Sequence, residues 1–479
     1  MIRRMLIIAA FLMVPVVFPA SLALRAQEPQ SPPDSQPAPT PTPPKPAGFA
    51  VPALENAQTD TGLQPDSAPL TGIQNPTLGT PELRHSYWVP GLQFSSNISS
   101  NGYGASTSKD WVANNYFIGN LSLLEAWSRS TLAVNYSGGG FVSTDSTQGG
   151  GAYHQLALVE TIQLGRSQFQ ILDQFSYTPQ SSFGFGGGTN LGIPGVGGSL
   201  GGTIPGLGGN YIPNQSVYGV GPFYSNTGAL QLTYSVSPRG SITLSGSYGL
   251  QSFTQSGNHD SNSTAASVGY NYLLTRSDTI GVTYQFNSNQ FPGLPQAYGS
   301  HTVSVAYGRK ITGLVALRLF IGPQFTNYRV PIGGSSQNHG YSASANLTYG
   351  FRRGSLSVIY LHGLSGGSGV LIGSILDSVS ASVSHSLGRV WTGTLNFGYS
   401  RNSPVGGTTA TSQPGYTDWF TGANVSRPIG RDFNFALAYT ATISNYGGTS
   451  CTGPGCNNSN TFSTVTVNFQ WHPRPFVLP

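Results

Sequence analysis

The chain has 479 residues, room for one large barrel or two to three ordinary domains, yet only 8% of them are charged, against roughly a quarter in soluble proteins. Glycine, serine, threonine and asparagine take the place of charge, and nothing in a formal charge of +5 so distributed points to nucleic acid. No apolar run beyond the leader approaches the roughly 20 residues of a membrane helix, which excludes a helical span and leaves a transmembrane barrel open.

The first 26 residues carry Arg3 and Arg4, an apolar run from Met5 to Phe18, and small residues at Ala20, Ser21, Ala23 and Ala26. This is the pattern of a secretory signal peptide. Its removal takes away Arg3, Arg4 and Arg25 and no acids, so the formal charge falls from +5 by three, to +2. Residues 27–86, densest in "PAPTPTPPKPAG", hold too little apolar surface to offset their ordering entropy. They are expected to form a disordered, extended periplasmic tether.

From Tyr87 the pattern becomes strict alternation and continues to Trp471. Leu230, Leu232, Tyr234 and Val236 alternate with Gln231, Thr233 and Ser235, and Ile280, Val282, Tyr284 and Phe286 alternate with Gly281, Thr283 and Gln285. A period of two with one apolar and one polar face is the signature of a strand. Eight short turns follow one another, at "SRS", "GRSQ", "SPRG", "TRSD", "GRKITG", "FRRG", "LGRV" and "IGRD", each with an arginine. Nine longer loops rich in Gly, Asn and Ser lie between them, which gives about eighteen strands of about 10 to 14 residues. Strands of that length cross a tilted bilayer span, whereas soluble sheets average five or six residues per strand. The fold class is therefore all-β, an antiparallel up-and-down transmembrane barrel over 87–472 with a short tail at 473–479. Trp88, Trp127, Trp391, Trp419 and Trp471 fall near strand ends, as an interfacial aromatic girdle requires.

The longest loop, 180–227, contains "FGFGGGTNLGIPGVGGSLGGTIPGLGGN" and has no periodicity. Irregular loops of this length are either functional or disordered. Cys451 and Cys456 in "CTGPGC" are the only cysteines and are expected to form a disulfide in an oxidising compartment. Closing so short a loop is worth about 2 kcal/mol.

With the apolar face toward lipid, the inward face carries Ser, Thr, Asn, Gln, Gly and Ala. Arg318 between Leu317 and Leu319 is its clearest charge, and Gln231, Asn271, Gln285, Asn346 and Asn396 are expected beside it as pore lining. Glu125, Glu160 and Asp173 break the apolar register. Reflection about "GRSQ" sets Glu160 opposite Asp173, and two readings follow: a subunit interface in a homo-oligomer, or a bulge that turns these acids inward. His362 and His385 lie on the apolar register of their strands, but with no third partner and no metal-ligand cluster neither an enzyme, a metal nor a cofactor is expected.

The leader, the even-stranded meander with short turns opposite long loops, and the final strand "STVTVNFQW" resemble the Gram-negative outer-membrane β-barrel family, porins above all. The resemblance covers about 87–471 and is one of pattern. It implies an outer-membrane channel for small hydrophilic solutes, inserted by the barrel-assembly machinery into outer-membrane lipid. In porins the loop between the fifth and sixth strands folds into the lumen, and 180–227 occupies that place. The chain departs from the family in ending "HPRPFVLP" instead of on an aromatic residue. Two alternative functions stand beside the channel: an export pore for a polysaccharide or other polymer, and a plugged adhesive barrel.

Overall fold

The computed structural model describes residues 70–71, 86–100, 111–144, 150–178, 222–254, 259–329, 335–365, 373–405, 415–446 and 459–478. The leader, most of the Pro-rich stretch, the loop segment 179–221 and both cysteines lie outside them. Eighteen long antiparallel strands run from β1 (Tyr87–Ser99) to β18 (Ser459–Trp471), each paired with its sequence neighbours. The first and last close the sheet, with Leu92 opposite Trp471 and Ser99 opposite Thr464. Closure leaves no strand edge, the condition for backbone polar groups to sit in hydrocarbon.

All eight short connections fall at the arginine-bearing turns and all nine long ones on the opposite rim. The Gly-Arg pairing within several turns has a local cause. Gly165 and Gly430 hold φ of +62° and +68°, a left-handed backbone that glycine adopts without steric cost, and the arginine that follows each points into water at the rim.

The pleat sorts side chains as the alternation requires, and the result is the inverse of a soluble protein. Leu92, Ile321 and Leu395 stand outside at 61% exposure, while Gln93, Asn97, Thr243, Gln285, Thr302, Ser400 and Thr466 are buried on the inner face. A continuous apolar exterior on this scale is stable only against lipid. The fold is a transmembrane β-barrel.

Beyond β18, the segment that sequence periodicity leaves as a tail returns to the wall. β19 (Phe476–Val477) pairs with Tyr87 and Trp88 of β1, below the point where β18 ends. The Phe476 ring stacks on Trp88 with centroids 4.8 Å apart, and the Leu478 N–H donates to the carbonyl of Ser86 at 2.8 Å. An aromatic residue thus seals the barrel near the chain end even though the terminal residue is proline.

Candidate functional site: the lumen

The lumen wall is lined by small uncharged polar groups, many of which bond to one another, some across strands and some along one strand. Ser245 and Ser267 hydroxyls meet at 2.6 Å, Gln231 donates to Thr233 at 3.2 Å, Gln285 to Asn287 at 3.2 Å, and Ser374 to Asn402 at 3.2 Å. The structure places Gln231, Asn271 and Gln285 in this lining, all buried on the inner face. Asn346 lies beside Arg318 across β11 (Val315–Arg329) and β12 (Ser335–Phe351), and Asn396 beside Ser382 across β14 (Ser374–Ser386) and β15 (Thr392–Pro404), each in inward register. These residues share a face without converging on one point.

Charge is sparse here. Among the described strand residues, Lys310, Arg318 and Asp418 hold inward register. Lys310 and Arg318 flank the short turn between β10 (Ala297–Lys310) and β11, whereas Asp418 lies near the long-loop end of β16 (Tyr416–Ile429). Asp418 accepts a hydrogen bond from the Ser400 hydroxyl at 3.5 Å. It is absent from the sequence-derived lining set, although Trp419 turned outward fixes Asp418 inward by the same alternation that identifies Arg318.

The inner wall also carries apolar relief. Tyr116 and Ile118 of β2 (Val112–Ala126) pack with Phe141 of β3 (Ser130–Ser143) and Tyr153 of β4 (Gly150–Leu164) as a ridge, with the Tyr116 and Phe141 rings 5.3 Å apart. At the long-loop mouth, Phe291 and Tyr298 cluster with Leu364 and Val405, supported by Leu294, Tyr328 and Ile375. Phe291 and Leu294 lie between β9 (Asp278–Gln290) and β10, Tyr298 and Tyr328 in β10 and β11, Leu364 and Ile375 in β13 (Gly354–Ser365) and β14, and Val405 directly after β15. The ring of Tyr298 lies so close to Gly373 that a Cβ there would stand 2.8 Å from Cε1. Through Phe291 and Leu294 the connection 291–296 thus packs against residues from the ends of β13 to β15, while Tyr298 meets the approach to β14. The 180–227 loop expected to narrow the channel lies outside the described residues over 179–221.

The three acids need a correction to the sequence reading. Pairing from β2 to β6 (Phe223–Ser235) runs without an inserted residue, so no bulge turns Glu125, Glu160 or Asp173 inward. All three keep the outward register. Glu160 faces Ile171 and Asp173 faces Leu158, because the turn holds only Gly165 and Arg166 between Leu164 and Ser167. The two carboxylates are thus diagonal neighbours, and Asp173 accepts a hydrogen bond from Asn226 Nδ2 at 3.1 Å.

Outside the barrel near the long-loop rim, His362 is bonded to Asp377 and stacked on Tyr341 with centroids 4.0 Å apart. His385 lies against Phe351, 5.8 Å between ring centres. Among the described residues, no group of three or more His, Cys, Asp or Glu side chains is placed to hold a metal ion.

No family model matches the chain, and no curated protein matches it. Solved structures similar to it include OpdQ of Pseudomonas aeruginosa, at 12% identity and a TM-score of 0.43 over 82% of this chain and 98% of that one. The outer-membrane protein OpdK of the same organism is 10% identical, TM-score 0.43, over 81% and 99%. A BenF-like porin from Pseudomonas fluorescens is 11% identical, TM-score 0.42, over 82% and 99%.

Proposed function

We propose that the protein is an outer-membrane channel for passive diffusion of small hydrophilic solutes. The observation that carries this reading is the closed eighteen-strand wall with hydrocarbon-compatible side chains outside and hydrogen-bonding, largely uncharged side chains inside. A barrel of that strand number encloses an aqueous passage. Spanning barrels of this kind belong to the outer membrane, with long loops facing outward and short turns facing the periplasm. A wall of amides and hydroxyls exchanges hydrogen bonds with a passing polyol or sugar at little net cost, and selection then rests on width and a few charges. The Phe291–Gln296 connection and Tyr298 form the outer constriction.

Liposome swelling tests this. Vesicles holding the refolded protein are expected to admit small neutral sugars faster than trisaccharides. Replacing residues 291–296 by a short Gly-Ser turn should raise the trisaccharide rate. Vesicles as tight to every solute as protein-free controls would refute the channel.

A further inference from the structure

Two residues of the Pro-rich stretch, Leu70 and Thr71, lie inside the barrel at 2% and 0% exposure. The Thr71 N–H donates to Asn271 Oδ1 at 3.0 Å, and Asn271 Nδ2 donates back to Thr71 Oγ1 at 2.7 Å, so one amide grips the residue at two points. The Thr71 hydroxyl also meets that of Thr243. Around this grip the wall is cut away by glycine on three successive strands, β8 (Ser261–Leu273), β9 (Asp278–Gln290) and β10. A Cβ on Gly269 would stand 2.5 Å from Thr71 Cβ, one on Gly281 would stand 3.1 Å from Thr71 Cγ2, and one on Gly308 would stand 2.7 Å from Leu70 Cδ2. Glycine in a strand interior weakens the strand and marks a place where another backbone comes close. Small residues that merely widened a pore would need no matched polar grip beside them.

We propose that this notch is a docking site for the chain's own Leu70–Thr71 pair, and that these two residues, held there, narrow the periplasmic mouth. Asn271, Gly281 and Gly308 all lie within three residues of the short-turn ends of their strands, so the dock sits just inside that mouth. Leu70 and Thr71 themselves stand on the inner face there, fully shielded from solvent, and take up part of the mouth's cross-section. Docking stands on the contacts alone; the narrowing rests on the channel reading.

The test uses the secreted full-length protein with Cys451→Ser and Cys456→Ser to remove its own thiols. Thr71→Cys with Thr243→Cys should form an intramolecular disulfide on mild oxidation of the folded barrel, found by non-reducing peptide mapping. In the presence of Gly269→Val and Gly308→Val the disulfide should be lost. Leu70→Asp with Thr71→Asp, which leaves the wall untouched, should raise the unit conductance over that of the parent. No disulfide in a barrel shown folded by its heat-modifiable mobility would overturn the dock. A disulfide without any conductance change in the aspartate variant would overturn the narrowing. The disulfide is read without any conductance, so failure of the dock and failure of the channel reading are told apart.

Discussion

Three inward charges among the described strand residues, Lys310, Arg318 and Asp418, set the field of the lumen, and they are separated along the pore, two cations at the short-turn end and one anion near the long loops. Arg318→Gln should shift the permeability ratio toward cations and Asp418→Asn toward anions, read as reversal potentials in a salt gradient. A unit charge about 4 Å from a passing ion in water is worth about 1 kcal/mol, so the shift should be on the order of five-fold at low salt and shrink as screening rises. Unchanged potentials would remove both residues from the conduction path. The direction of Arg318 is legible in the sequence because leucines flank it. The acids are less legible: reflection about a turn demands its residue count, and a turn of two residues instead of four moves the partner of Glu160 from Asp173 to Ile171. Glu160 holds the lipid-facing register, where a carboxylate costs more than an alkyl group. Glu160→Leu is therefore expected to stabilise the barrel by about 1 kcal/mol in urea titrations in lipid vesicles, and a loss of stability would mean that something polar covers it.

At the scale of elements, the strands are legible and the short docking pieces are not. Alternation over a dozen residues gives each long strand its facing, and a Gly-Arg pair with a left-handed glycine marks several turns. A two-residue strand such as β19, or a docked pair such as Leu70–Thr71, is too short to show a period. The β19 return has a pH dependence that can be checked. His472 lies between β18 and β19, and its backbone N–H donates to the backbone carbonyl of Asp432 at 2.8 Å. Burial holds the imidazole pKa below its ordinary value, outweighing the opposite pull of the Asp432 charge. Folding therefore favours the neutral ring: its contribution is complete above the unfolded value of about 6.5 and is lost as pH falls through the lower folded value. Protection of the Val477 and Leu478 amides, taken relative to the intrinsic exchange rate at each pH, should fall in that window, and His472→Gln should flatten the response. A loss of that protection on raising the pH instead would contradict the assignment.

For the whole molecule, the even strand count, the two kinds of rim and the inverted hydrophobicity make a single consistent barrel, and each is written in the sequence because each repeats many times. What stands at the two mouths is not so written. The outer constriction at Phe291–Gln296 and the inner dock at Leu70–Thr71 depend on contacts between residues distant in the chain, such as Tyr298 with Gly373 and Thr71 with Asn271. In the proposed channel a water-filled path nevertheless remains. The most direct measurement is the single-channel conductance of the refolded mature protein in a planar bilayer at several salt concentrations. Steady unit steps that scale with bulk conductivity are expected. A silent bilayer with folded protein inserted on both polarities would contradict the account and leave a closed, plugged barrel in its place.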